Sequence, residues 1–80
     1  VTQSPDIYIV SGVRTAIGDF GGSLKGFAAA DLGGRVIAEA VARSGLSPAD
    51  VEHVVMGQVI HTSAKDAYLA RVAALNAGIP

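Results

Sequence analysis

Residues 7–24 read IYIVSGVRTAIGDFGGSL, a short apolar run opening into a loop punctuated by glycine. Ile7, Tyr8, Ile9 and Val10 are continuously apolar, the pattern of a strand over residues 7–11 buried on both faces, as in a parallel sheet. The loop that follows carries Gly12, Gly18, Gly21 and Gly22. Glycine admits backbone conformations and close approaches closed to other residues, so such a loop takes one fixed path. Arg14 is the only cation in residues 1–20. An arginine held in a loop has a specific partner, either a ligand or another piece of protein.

Working outward, residues 1–6 are polar and read as a flexible lead-in. Residues 29–44 read as a helix, with Leu32, Val36, Ala40 and Val41 on one stripe and Arg35, Glu39 and Arg43 on other faces. Gly33 and Gly34 cost that helix stability, which predicts close packing against a neighbour there. Gly45 ends it. Ser47, Pro48 and Asp50 supply a cap, a proline at the first helical position and a first-turn acid, so one short turn is expected. Residues 53–60, HVVMGQVI, read as a second strand, with Gly57 marking a bulge or a close backbone contact. After a polar loop at 61–65, Asp66 is expected to cap a second helix over 67–77, stopped by Gly78 and Pro80. Leu69, Val72, Ala73 and Asn76 would share its inner face.

The order is strand, helix, strand, helix: an α/β chain forming a right-handed βαβα crossover. Two parallel strands satisfy neither their edges nor both their faces. The chain therefore reads as part of a larger domain, not a self-sufficient one, and it stops after a helix where another strand is expected. Eighty residues bury only about 60% of their unfolded surface, so the chain would be marginal alone. Half of the residues are hydrophobic and 5% aromatic, a composition that suits an α/β core.

Six Lys and Arg stand against seven Asp and Glu. The cations are scattered singly, which argues against nucleic-acid binding. The absence of cysteine excludes disulfides, thiolate metal sites and a cysteine nucleophile within these residues. His53 and His61 are too few and too far apart for a helical metal motif. With no apolar run of membrane-spanning length and no leader pattern, a cytoplasmic location is the expectation.

The loop glycines form neither GxGxxG nor GxxxxGK[ST], and the loop is too long to bring a helix N-terminus against a phosphate just after the strand. The structural reading is therefore favoured over phosphate binding, with Arg14, Thr15, Gly18, Gly21 and Gly22 fixing the loop. His53 reads as a solvent-facing or turn residue. His61, at the far end of the second strand beside Thr62 and Ser63, is the better candidate for a site or an interface. Tyr68 and Arg71 lie three apart on one helix face and could meet a partner subunit. No Ser-His-Asp arrangement, carboxylate pair or metal cluster can be assembled, and no residue is assigned to catalysis, cofactor or metal. Taken alone, the residues define a fold fragment with an interface candidate. A small non-catalytic α/β module with a ligand loop at residues 12–26 stands beside that reading.

In unbroken order, VSGVRTAIG at 10–18, FGGSL at 20–24, DLG at 31–33, VVMGQVI at 54–60 and ARVAALNAGIP at 70–80 resemble the amino-terminal end of the thiolase family, the acetyl-CoA acetyltransferases and 3-ketoacyl-CoA thiolases. The resemblance covers about residues 7–80. HTSAKDAYLAR at 61–71 departs from the family's common glycine-rich loop and GQNPARQ. It looks more like the bacterial bktB-type β-ketothiolase branch, a resemblance that favours acceptance of acyl chains longer than acetyl.

The resemblance implies that residues 7–80 are the N-terminal portion of a thiolase N-terminal domain, within a layered α/β/α/β/α fold. It implies an acyltransferase of fatty acid metabolism that condenses acetyl-CoA with acyl-CoA or cleaves 3-ketoacyl-CoA, with coenzyme A thioesters as substrates. The chemistry would use a cysteine nucleophile at a helix N-terminus, activated by histidine, with a second cysteine as acid/base and oxyanion holes for the developing charge. The family's nucleophile lies shortly beyond the position matching Pro80, so the 80 residues alone would be inactive. The region matching residues 57–71 lies near the family's dimer interface, which makes His61, Thr62, Asp66, Tyr68 and Arg71 interface residues. The implied partners are the remainder of the polypeptide and a second copy in a homodimer or homotetramer, with no nucleic acid and no membrane. A ketoacyl synthase built on the same duplicated fold is the alternative within this resemblance.

Overall fold

The computed structural model describes residues 6–80. The lead-in expected over 1–6 lies outside them except for Asp6, which is exposed. Helix α1 spans Ala29–Ser44 and helix α2 spans Leu69–Asn76. A 3-10 turn at Pro48–Asp50 follows α1, and a second at Ala64–Tyr68 runs directly into α2.

Helix α1 begins where the carboxylate of Asp31 reaches back to accept the Ala28 N–H at 3.4 Å, satisfying a donor that has no partner within the helix. Gly45, with φ 79°, ends it in the left-handed region, where a side chain would be strained. Helix α2 ends by a Schellman arrangement: the Ile79 N–H donates to the Ala74 carbonyl at 3.0 Å, and the Gly78 N–H to the Leu75 carbonyl at 3.1 Å. Gly78 takes φ 86° to allow it, and Ile79 is buried beside the helix end, the apolar contact that accompanies this motif.

The two helices pack against each other where α1 carries Gly33 and Gly34. A Cβ at Gly33 would stand 3.1 Å from the Ala73 Cβ and 3.0 Å from the Met56 Cε. One at Gly34 would stand 3.1 Å from the Asn76 Cβ. All three distances are tighter than ordinary contact, so the absence of side chains is what lets α2 and Met56 approach. Ala73 is fully buried, and Ala30 nearly so. The expected stripe of Leu32, Val36, Ala40 and Val41 is only half-buried, because the face turned to α2 is that of Ala30, Gly33 and Gly34. On α2, Leu69 and Val72 are half-buried and Asn76 is exposed, leaving Ala73 as the centre of the contact. Met56 joins this centre from the segment between the 3-10 turns.

Three expectations need correction. Among the described residues no strand forms, so the βαβα order is met only in its helices. Ile9 and Val59 are each 96% exposed, and neither apolar run has a hydrogen-bonding neighbour to build a ladder. A strand's edges and faces need partners, and 80 residues holding two candidate strands supply too few. Gly57 is neither a bulge nor a close contact, since a Cβ there would meet nothing within 4 Å. Helix α2 starts at Leu69, not at 67, because Asp66 sits inside the preceding turn.

The result is elongated, measuring 54 × 24 × 23 Å with a radius of gyration of 14.8 Å. A compact domain of this length would have a radius near about 12 Å. The helix pair and its turns form the packed part, and the apolar run at 7–10 extends from it uncovered.

Candidate functional site

The loop at 11–24 is held by its own backbone. The Gly22 N–H donates to the Asp19 carbonyl at 2.9 Å, and Lys25 and Phe27 continue the succession of turns with bonds to Gly22 and Leu24. A Cβ on Gly22 would lie 3.0 Å from the Asp19 carbonyl oxygen, and one on Gly18 would press on Leu24 at 3.3 Å. Gly21 takes φ 68°. The Thr15 hydroxyl donates to the Ala16 carbonyl, and the Arg14 guanidinium to the Thr15 carbonyl, each at 3.0 Å. These contacts are local. They stiffen the path of the loop.

What the loop does form is one wall of an open groove against α1. Gly12 to Ala16 line one side, and Arg35, Val36, Glu39 and Arg43 line the other. Arg43 is paired with Glu39 at 2.7 Å, and the Arg35 guanidinium lies 4.9 Å from the centre of the Phe27 ring, within cation–π range. Arg14 therefore does not stand alone, as its isolation in sequence suggested. The spacing 35, 39, 43 carried the missing signal, because residues four apart share one row of a helix.

The second cluster lies around the start of α2. Asp66 is 2% exposed, and its carboxylate receives the Thr62 N–H at 2.7 Å together with the hydroxyls of Thr62 and Ser63. This corrects the expectation of a helix cap. Asp66 serves no N–H of α2; it reaches back to tie the loop ahead of it, while Tyr68 starts α2 without a side-chain cap. The hydrogen bonds from Thr62, with a smaller contribution from Ser63, hold the Asp66 carboxyl below its ordinary range against an opposing effect of burial. That burial is shallow, because the carboxylate is screened by its own loop and not by depth of protein. A carboxylate saturated in this way is a poor general base.

Met56, Gln58, His61, Asp66, Tyr68 and Arg71 line one open depression. Four of the five residues expected at an interface thus meet here, and Thr62 joins them through Asp66. Arg71 also borders a neighbouring hollow with His53, Leu75 and Ile79, so it stands on the ridge between the two. His53 is exposed, in line with its solvent-facing reading. Tyr68 is 71% exposed. No group of metal-binding side chains gathers among the described residues, and no helix of the structure is long and apolar enough to cross a membrane.

Residues 7–80 match the family described as thiolase, N-terminal domain. The chain belongs to the thiolase family. As a thiolase chain it is 58% identical over 74 residues to the beta-ketothiolase BktB of Cupriavidus necator, an alignment covering 92% of this chain and 19% of that protein. It is 48% identical over 75 residues to an acetyl-CoA acetyltransferase of the same bacterium, covering 94% of this chain and 19% of the other. The human mitochondrial 3-ketoacyl-CoA thiolase is 39% identical over 74 residues, covering 92% and 19%. The thiolase chain described here thus spans about a fifth of the length of the curated relatives it matches.

Proposed function

We propose that these 80 residues are the N-terminal portion of an acyl-CoA C-acyltransferase that condenses acetyl-CoA with an acyl-CoA, or cleaves a 3-ketoacyl-CoA by the reverse reaction. The observation that carries this reading is the unbroken family match over residues 7–80. Coenzyme A thioesters are the substrates. The attacking thiolate belongs to the polypeptide outside these residues, which contain no cysteine. Such a thiolate is made reactive by a lowered pKa at a helix N-terminus, and hydrogen-bond donors stabilise the oxyanion formed on attack. Within the chain, the helix pair and the tied loops act as scaffold.

In the same reading, residues 7–11 and 53–60 become strands of a layered α/β/α/β/α fold once neighbouring strands from the remaining polypeptide cover them. The exposure of both apolar runs supports this. The depression of His61, Asp66, Tyr68 and Arg71 faces a second subunit of a cytoplasmic homo-oligomer. The resemblance of residues 61–71 to the bktB-type branch supports acceptance of acyl chains longer than acetyl.

The test uses the full-length polypeptide, assayed for CoA-dependent cleavage of 3-ketoacyl-CoA substrates of increasing chain length. Cleavage that is abolished by thiol alkylation, with a trapped acyl group on a cysteine outside residues 1–80, is the expected result. A polypeptide that binds CoA but neither cleaves nor condenses thioesters would reinstate the binding-module reading.

A further inference from the structure

The groove between the 12–16 loop and α1 is not explained by the reading above. It gathers Arg14, Arg35 and Arg43 around one carboxylate, Glu39, and that carboxylate is already taken by Arg43. Arg35 spends its charge on the Phe27 ring. The Arg14 guanidinium makes one bond, to the neighbouring Thr15 carbonyl, out of the five N–H donors that the group offers. One residue before the loop wall, the Ser11 hydroxyl is shielded from water with no hydrogen-bond partner. A planar cation with unspent donors is suited to a carboxylate, which accepts two parallel N–H bonds from arginine.

The rest of the groove says what carries that carboxylate. Val13, Ala16 and Val36 give its walls an apolar character, and the run Ile7 to Val10, just ahead of it in sequence, is uncovered. A free anion would satisfy the charge and leave that surface in water. A polypeptide segment covers both. We infer that this groove is the docking surface for an acidic segment from the remaining four-fifths or so of the polypeptide, whose Asp or Glu pairs with Arg14. The inference rests on the chain being one portion of a longer thiolase polypeptide.

In the folded full-length polypeptide, phenylglyoxal should modify Arg14 at least about tenfold more slowly than in the urea-unfolded state, as peptide mass spectrometry would show. Arg14→Lys places an amine in the groove. Carbodiimide treatment should then couple position 14 to an Asp or Glu outside residues 1–80, identifying the partner directly. Equal modification rates in the folded and unfolded states would overturn the proposal, as would coupling to Glu39 alone. Protection of Arg14 that depends on added inorganic phosphate would also overturn it, in favour of a free anion. The labelling uses the unsubstituted protein, so it stands even where Arg14→Lys fails to fold. Arg14 freely labelled in an active thiolase sinks only this inference, and Arg14 protected in an inactive polypeptide sinks only the catalytic reading.

Discussion

Asp66 collects three donors from the two residues Thr62 and Ser63, so its ionised form fixes the path of the loop into α2. Its folded-state pKa lies below the ordinary 3.8. The carboxylate therefore contributes stability at pH values above that ordinary value, and the contribution is lost as pH falls through the lowered folded value. Asp66→Asn replaces one acceptor oxygen by an amide that faces donors. In the full-length polypeptide it should lower the thermal midpoint at neutral pH, and the gap to the unsubstituted protein should narrow in strong acid. A gap that stays constant or widens on acidification would show that the charge is not what holds the loop. Gly34 gives a second residue-scale expectation. An Ala there gains about 1 kcal/mol of helix propensity but drives its Cβ to 3.1 Å from the Asn76 Cβ, an atom fixed to the α2 backbone that cannot swing aside. Overpacking of this kind costs about 1–3 kcal/mol, so Gly34→Ala should come out destabilising by chemical denaturation. Gly26→Ala, where a Cβ meets nothing within 4 Å, should stay within about 0.5 kcal/mol of the parent.

At the scale of elements, one device recurs: an aspartate reaches back to close the start of a turn or helix. Asp31 does so for Ala28, Asp50 for Ser47 at 2.9 Å, and Asp66 for Thr62. The Ser47 hydroxyl completes a reciprocal pair by accepting the Ala49 N–H at 3.3 Å, with Pro48 preset for the turn. Ser47→Ala removes one half of that pair at an exposed site and should cost about 0.5–1 kcal/mol, toward the low end for caps. Urea denaturation of the full-length polypeptide would measure it, and no loss would mean that Asp50 and Pro48 suffice. These short-range signals explain what was legible in the sequence. Helix α1, its glycine stop and the Ser47 turn depend on neighbours within four residues, and the chain contains them all. The close approach at Gly33 and Gly34 was legible as an anomaly, a pair of glycines inside a helix that needed a packing reason. The strands were legible as apolar runs but not as structure, because a ladder needs partners these residues do not supply. Asp66 was misread because the same acid serves either direction along the chain, and only the geometry of the turn chooses. That Arg14 lines the same groove as Arg35 and Arg43 is a long-range arrangement that spacing along one helix only hints at.

At the scale of the whole molecule, the packed part and the uncovered part predict different behaviour. The contact between α1 and α2 is made by Gly33 and Gly34 against Ala73 and Asn76, and no large side chain is fully buried among the described residues. Small residues remove little apolar area from water, at about 25 cal/mol per Å². Ile7, Ile9, Val55, Val59 and Ile60 meanwhile remain largely exposed. A chain that hides so little and exposes so much is held together by helix pairing and local caps, without a core that unfolds as a unit. Residues 1–80 produced alone should therefore show helical circular dichroism, bind a hydrophobic dye such as ANS, and lose signal gradually on heating without a sigmoidal transition. The full-length polypeptide should bind the dye weakly and unfold cooperatively. Hydrogen exchange adds a local reading: the amides of 7–10 and 54–60 should exchange freely in the short chain and become protected in the long one, since ladder bonds to new neighbours would close them. A sharp transition from the 80 residues alone, with those amides protected, would mean that the two apolar runs find each other without help and that the chain is a domain in its own right.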